Sequence, residues 1–512
     1  MTSDTTALEV WDDAAGVDHL WTNANLGEAV PDVMTPATWS AVSRFMSRAM
    51  ITASVPGARA FGRIQGRFYL DLSVLASLAA TFGVPPHRVL ASMEPVFGTV
   101  PPDVEIPLVA LPRARTALAL LRASLTGARR ARAARRGLTT VLPALPRRCT
   151  ELRATIAATA DPHVLASLWT GEIEPLLATV GDLMDVVRRD GKALVTVPAR
   201  LTRLVGAADA AVLTSGGEHL ASLGPLIGLA RLEGGEIDRD TYVLEHGHRG
   251  PHEFELSVPR PAEDLERHLA QLRGGPDPRA LLARRDAARR AAWQRLGDAW
   301  PRRVESTRRG LAAWADAARQ RERIRSESMR VFWVAREFVR RAGELTGLGE
   351  DAFLLSIEEV LDALAGAPVT ADVAVRRATY AHYRSLPAPP PLVRGSVAAA
   401  AGAGTAGTVR GTGASAGVVT GPVRVLAEVA DGAALQPGEV LVTTVTNVGW
   451  TPLFPRAAAV VTDVGALLSH AAIVARELGI PAVVGCGDAT TTLRTGDRVR
   501  VDGILGTVQR LP

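Results

Sequence analysis

The sequence predicts a chain of two structural classes: a large, mostly α-helical region over residues 1–386 and, after a linker over 387–413, a small α/β domain over 414–512. Three observations carry this. Upstream, apolar residues recur with the helical period. Between the two parts, composition shifts to Pro, then to Ala and Gly. Downstream, the period shortens to that of strands.

In MRVFWVAREFVRRAGEL, Val331, Val334, Ala335 and Phe338 fall at i, i+3, i+4 and i+7, with Arg330, Glu337, Arg340 and Arg341 largely on the other side. The stretches around 105–135, 176–190, 262–298 and 305–345 share this character. In the first of them Leu118, Leu121 and Leu125 at helical spacing describe an amphipathic helix whose arginines form a wet face. No regular long repeat supports a solenoid. The segment LPAPPPLVRGSVAAAAGAGTAGTVRGTG has almost no large apolar residue and cannot build a core, so it reads as a linker, stiff at its Pro end and flexible at its Gly end. Beyond it, VVTGPVRVL, EVLVTTV, AAVVTD, PAVVG and DRVRVDG are short, rich in Val and Thr, and bounded by Gly, Pro or Asp, the marks of strands. One helix, residues 469–478, lies among them and stops at Gly479 and Pro481.

With 512 residues, 47% apolar and 22% charged, the chain has the composition of a folded globular protein. Of its 58 basic residues only Lys192 is a lysine, the skew expected of a GC-rich genome, and this weakens any argument from arginine runs. The run from Arg113 to Arg136 has no aromatic residue for base stacking, so a nucleic-acid partner is not expected. Cys149 and Cys486 lie far apart, with no disulfide framework or zinc spacing around them. The acidic start lacks a leader pattern and no window is long and apolar enough to span a membrane, so no membrane partner and a cytoplasmic location are expected.

The chemistry concentrates in TDVGALLSHAAIVARELGIPAVVG, residues 462–485. A strand ends at Asp463, Gly465 turns the chain, and Ser469 is a good N-cap. His470 then falls in the first turn, at what is expected to be an exposed helix start, where free N–H groups and the helix dipole favour an anion and keep the ring neutral and nucleophilic. On geometry alone a capping or packing histidine is the commoner reading.

This segment closely resembles the phosphohistidine motif of the PEP-utilising mobile domain found in phosphoenolpyruvate synthase, pyruvate phosphate dikinase and rifampin phosphotransferase, roughly TExGGxxSHAAIVARExGIPAVVG. Ala466 departs from it where the second Gly is usual. NVGWTPLFPRAAAVVTD and GDRVRVDGILGTV also resemble that domain. The helical part resembles rifampin phosphotransferase-like proteins in WTNANLGEAVPDVMTPATWS, in EHGHRGPHEFELSVPRPAED, which has His252 and Pro261 where Gly and Trp are usual, and in RERIRSESMRVFWVARE. The resemblance implies a substrate domain followed by a swivelling β/β/α phosphohistidine domain, with His470 as the phosphorylated residue.

The residues themselves fit that chemistry. Arg321 and Arg325, four apart on one helix face, either clamp a transferring phosphoryl group, with Glu322 as base for an acceptor hydroxyl, or form a solvated arginine face. His248, Arg249 and Glu253 offer acid, cation and base to a substrate, or form a polar loop held by its own ion pair. His252 is either a substrate contact or a surface residue. No phosphate loop with a partnering lysine is present, and the chain begins where the family's ATP-grasp domain would end. The expectation is therefore a phosphotransferase component that binds no cofactor or metal by itself. It would receive a phosphoryl group on His470 through Mg-ATP and a separate ATP-grasp protein, and pass it to a hydroxyl of a small molecule. The product is either an ester or, after loss of phosphate, a dehydrated or cyclised compound of natural-product metabolism. The alternatives are a non-catalytic binding or regulatory descendant and a PEP/pyruvate enzyme, the latter disfavoured by the lack of a barrel-like run of strands and helices.

Overall fold

The computed structural model describes all residues except 1–7, 25–29, 51–58, 93–99, 102, 216–220, 273–277, 396, 399–407 and 468. Helices dominate the first part. Thr35 caps the helix Pro36–Ala49, and Pro36 occupies its first turn, where a missing N–H is harmless. This helix packs with Glu174–Asp190, the C-terminal half of Arg113–Ala158 and Val304–Thr346 around the largest core. The predicted stripe of Val331, Val334, Ala335 and Phe338 is buried in it. At its centre the Phe332 ring meets Phe45 edge-on at 5.8 Å and Phe254 at 4.9 Å between centroids. Phe332→Ala is expected to destabilise the chain by about 3–5 kcal/mol, because the emptied volume is walled by rigid helices. A denaturant midpoint within error of the unmutated chain would contradict that placement.

The first predicted amphipathic helix is inverted. On Arg113–Ala158, Leu118, Leu121 and Leu125 are 47%, 57% and 57% exposed, while Thr116, Ala123, Gly127 and Ala131 are buried. The helix makes its close approach through small residues: a Cβ on Gly127 would lie 2.7 Å from Arg189 Nη2. The leucines therefore share the wet face with the arginines.

The mostly helical region also holds a sheet that the pattern did not announce, with β1 (Leu20–Thr22), β2 (Phe61–Ile64), β3 (Arg67–Asp71), β4 (Leu392–Arg394) and β5 (Val397–Ala398) in the order β2-β3-β1-β4-β5. Two of these strands fall within the expected linker 387–413, as do β6 (Thr408–Arg410) and the start of β7 (Thr412–Ser415). The Pro/Gly/Ala-rich stretch is thus paired at both ends, and its remaining residues, 396 and 399–407, lie outside the described residues.

The five expected strands of the C-terminal part are β8 (Val418–Val425), β9 (Val440–Thr443), β10 (Ala459–Thr462), β11 (Ala482–Val484) and β12 (Arg498–Asp502), joined by β13 (Thr507–Arg510). They form one mixed sheet in the order β6-β13-β12-β8-β9-β10-β11-β7, with β8 to β11 parallel. Side chains alternate faces. Leu441, Val460 and Val484 pack on the helix His470–Leu478, while Val440, Val442, Val461 and Val483 build a second core with Val499 and Val501. Leu223, Ile227, Leu281 and Leu282 of the helical part pack into the first of these clusters, beside Trp450, Leu453 and Phe454. Cys149 and Cys486 are free thiols. Among the described residues no helix is long and apolar enough to cross a membrane.

Candidate active site

After β10 the chain turns at Gly465, whose φ of 152° and close approach to Gly485 need glycine: a Cβ on Gly485 would sit 2.7 Å from the Gly465 carbonyl oxygen. The neighbouring Ala466, where a second glycine was usual, is buried without strain in its φ. Ser469 Oγ accepts from the Ala472 N–H at 3.3 Å and Gly479 ends the helix in the left-handed conformation, as the sequence implied.

His470 opens this helix, but it is not exposed. Only 1% of its surface remains accessible, and Arg325 and Arg249 of the helical part lie close enough to act on its charge. Its Nε2 lies 3.1 Å from Thr451 Oγ1 and its ring meets Phe454 edge-on at 6.2 Å. Burial, then the guanidinium charges of Arg325 and Arg249, hold its pKa well below the usual histidine range, so the ring is neutral.

The residues around it come from two segments of the helical part. Arg249 is 1% exposed and donates through Nε to Glu253 Oε2 at 2.9 Å; its Nη1 and Nη2 have no hydrogen-bond partner among the described residues. Arg325 Nη2 is 3.5 Å from the other Glu253 oxygen. Glu322 is buried and accepts from the Ser222 hydroxyl, with Arg321 Nη1 3.7 Å from Oε1. Burial alone would raise the Glu322 pKa, but Arg321, Arg325, Ser222 and Arg249 outweigh it and hold the carboxylate ionised. His248 is fully buried, Nε2 2.9 Å from Ser326 Oγ, and burial followed by Arg330 and Arg249 keeps it neutral.

Arg321, Glu322, Arg325, His248, Arg249 and Glu253 are thus linked to one another by ion pairs and charge, and of them Arg325 and Arg249 act on the charge of His470. His252 differs. It has φ 60°, the left-handed region that favours the glycine usual there, and its half-exposed ring is tied through Nδ1 to Asp32 instead of the cluster. Thr451, Ser222 and Ser326 are site residues that sequence reasoning missed; each is a lone hydroxyl with no spacing to mark it. Among the described residues no group of three His, Cys, Asp or Glu is placed to hold a metal.

The seam depends on close fit as well. A Cβ on Gly449 would meet Pro251 Cβ at 2.7 Å, so the 447–449 turn rests directly on the loop that carries Arg249. Near that loop, burial holds the His268 pKa down to about 4. Its folded form resists a proton that the unfolded chain accepts below 6.5, so the stability it permits is complete above 6.5 and falls with pH toward 4. The stability difference between the unmutated chain and His268→Gln is expected to shrink by up to about 1.4 kcal/mol per pH unit as the pH falls from 6.5 toward 4. Urea titrations at pH 7, 6 and 5 check it, and a difference independent of pH would contradict it.

Residues 435–506 match the family of the PEP-utilising enzyme, mobile domain. An uncharacterized protein of Mycobacterium tuberculosis is 38% identical over 277 residues, 51% of this chain and 30% of the relative. The prodigiosin synthesizing transferase PigC of Serratia marcescens is 33% identical over 295 residues, 53% of this chain and 33% of the relative. Both stretches are longer than 414–512, so these likenesses reach into the helical part. The phosphoenolpyruvate synthase of Aeropyrum pernix is 54% identical over 101 residues, 20% of this chain and 12% of the relative. The chain matches about a third or less of the length of these curated relatives. Residues 435–506, with the motif around His470 among them, thus match the mobile domain of PEP-utilising enzymes, and the likenesses to PigC and to the phosphoenolpyruvate synthase fit a protein of the phosphotransfer type.

Proposed function

We propose that this chain is a phosphotransferase component in which His470 carries a phosphoryl group from a separate ATP-grasp protein to a hydroxyl of a small molecule bound against the helical part. The observation that carries the reading is a buried, neutral His470 within reach of the charges of Arg325 and Arg249 of the helical part. Arg249 keeps two buried nitrogens without a protein partner among the described residues. A buried charge left so is costly, and a phosphoryl oxygen answers it. A module that had lost its chemistry would have no use for that cost, which speaks against a non-catalytic descendant.

In the loading step the partner, with Mg-ATP, would place the β-phosphoryl of ATP on His470, release AMP, and give the γ-phosphoryl to a water as free phosphate, as the resemblance implies. A 1%-exposed ring is poorly placed to meet a partner's nucleotide, which supports a mobile domain that swings out to be loaded and returns to discharge. On return the P–N bond breaks, the imidazole leaves neutral, and the acceptor oxygen takes the phosphorus. Arg249 and Arg325 balance the charge on the equatorial oxygens. The acceptor proton passes to Glu322, which suffices as a weak base because a loose transition state releases that proton late. The product is either the ester or, after phosphate departs, the dehydrated or cyclised compound.

The match to PigC over half of this chain, against a fifth for the phosphoenolpyruvate synthase, favours an acceptor other than pyruvate. Isothermal titration with Mg-ATP tests the division of labour. The chain alone is expected to show no binding and no AMP formation; micromolar binding with AMP formation would end the split reading.

A further inference from the structure

We propose that Arg285 and Glu477 form an interdomain clamp that positions the His470 helix for transfer, a reading that rests on His470 as the phosphoryl carrier. Glu477 sits two turns beyond His470 on the helix His470–Leu478, and Arg285 lies on the helix Pro278–Ala299 of the helical part. Arg285 Nη1 donates to Glu477 Oε2 at 2.6 Å and to the Glu477 backbone carbonyl at 3.2 Å. Their side chains are only 6% and 3% exposed. Arg285 Nη2 also donates to Asp286 at 3.1 Å.

Three features make this a positioning contact. The carbonyl belongs to the last turn of the helix, where backbone acceptors lack intrahelical donors and the dipole is negative, so the guanidinium suits both the side chain and the helix end. Its neighbour Arg476 bonds inside its own module, to the carbonyls of Ala414 at 3.1 Å and Leu467 at 2.6 Å, so the helix is fixed in its module by one residue and across the seam by the next. The surrounding contacts, Leu223, Ile227, Leu281 and Leu282, are apolar and tolerate sliding, whereas a buried charge is satisfied in one register only. The clamp grips the helix at one end and Arg249 and Arg325 receive it at the other. Neither clamp residue touches the reacting atoms.

The test uses the full chain and reads how often His470 leaves the seam. Diethyl pyrocarbonate modifies accessible neutral imidazoles, and mass spectrometry follows the peptide holding His470, with buried His268 as internal control and amide exchange in β9, β10 and β11 as the check on the module's fold. Arg285→Gln and Glu477→Gln are each expected to speed modification of His470 at least about tenfold with His268 and the strands unchanged. The double variant is expected to add little to either single one, because both remove the same interaction. Unchanged rates, a parallel rise at His268, faster exchange in the strands, or fully additive effects would each overturn the clamp. Phosphoramidate labelling of His470 in the same variants separates the two readings: modification that follows the clamp while phosphorylation at His470 is absent sinks the carrier role and leaves the clamp standing.

Discussion

With His470 replaced by Gln, phosphoryl transfer to an acceptor is expected to fall by on the order of 10⁴-fold or more, to background, because no other group replaces the nitrogen that carries the phosphorus. Gln is the informative substitution because it retains an amide to meet Thr451 Oγ1, whereas Ala would leave that buried hydroxyl unpaired at a cost of about 1–3 kcal/mol. Loss of transfer with an unchanged melting midpoint is the expected pair of results. Transfer that survives in His470→Gln would remove the carrier.

Arg325→Ala is expected to separate the two half-reactions. Arg325 acts on the charge of His470 from the helical part; under the proposed swing of the mobile domain, loading should proceed while discharge slows by about 10²–10³-fold, the usual effect of losing one donor that stabilises transition-state charge. Arg249→Ala is expected to behave alike, with an added loss of stability because Glu253 loses its 2.9 Å partner. Discharge is followed as loss of label from His470 with the small-molecule fraction of a cell extract as acceptor source. Equal loss of loading and discharge would mean that the arginines hold the fold and do not act on the phosphoryl group.

The parts of this molecule legible in its sequence are those where local chemistry decides. Ser469, His470 and Gly479 announce a capped helix because cap, first turn and left-handed stop are each set within a few residues. The valine-rich segments announce β8 to β12 because β-branched side chains suit the pleated faces of a packed sheet. Leu118, Leu121 and Leu125 misled because periodicity reports a face and not which side of it is covered; Gly127 and Ala131, small enough for close approach, took the inside. The strands β1 to β5 are too short to show a period, and β4 and β5 sit in Pro- and Gly-rich surroundings that argue for a linker. Charge and spacing singled out Arg321, Arg325 and the 248–253 loop as candidates, but the burial of His470 was not legible, since a first-turn residue is covered or exposed by tertiary packing that its own segment does not encode.

The central claim is that a phosphoryl group on His470, and on no other histidine, is discharged through the helical part. The direct measurement is to phosphorylate the chain with phosphoramidate, add the small-molecule fraction, and follow by mass spectrometry the acid-labile label on His470 against that on the exposed His163. The account predicts that label leaves His470 rapidly while label on His163 persists, and that Arg325→Ala removes the difference. Label lost from both sites at one rate, or never carried by His470, would contradict it.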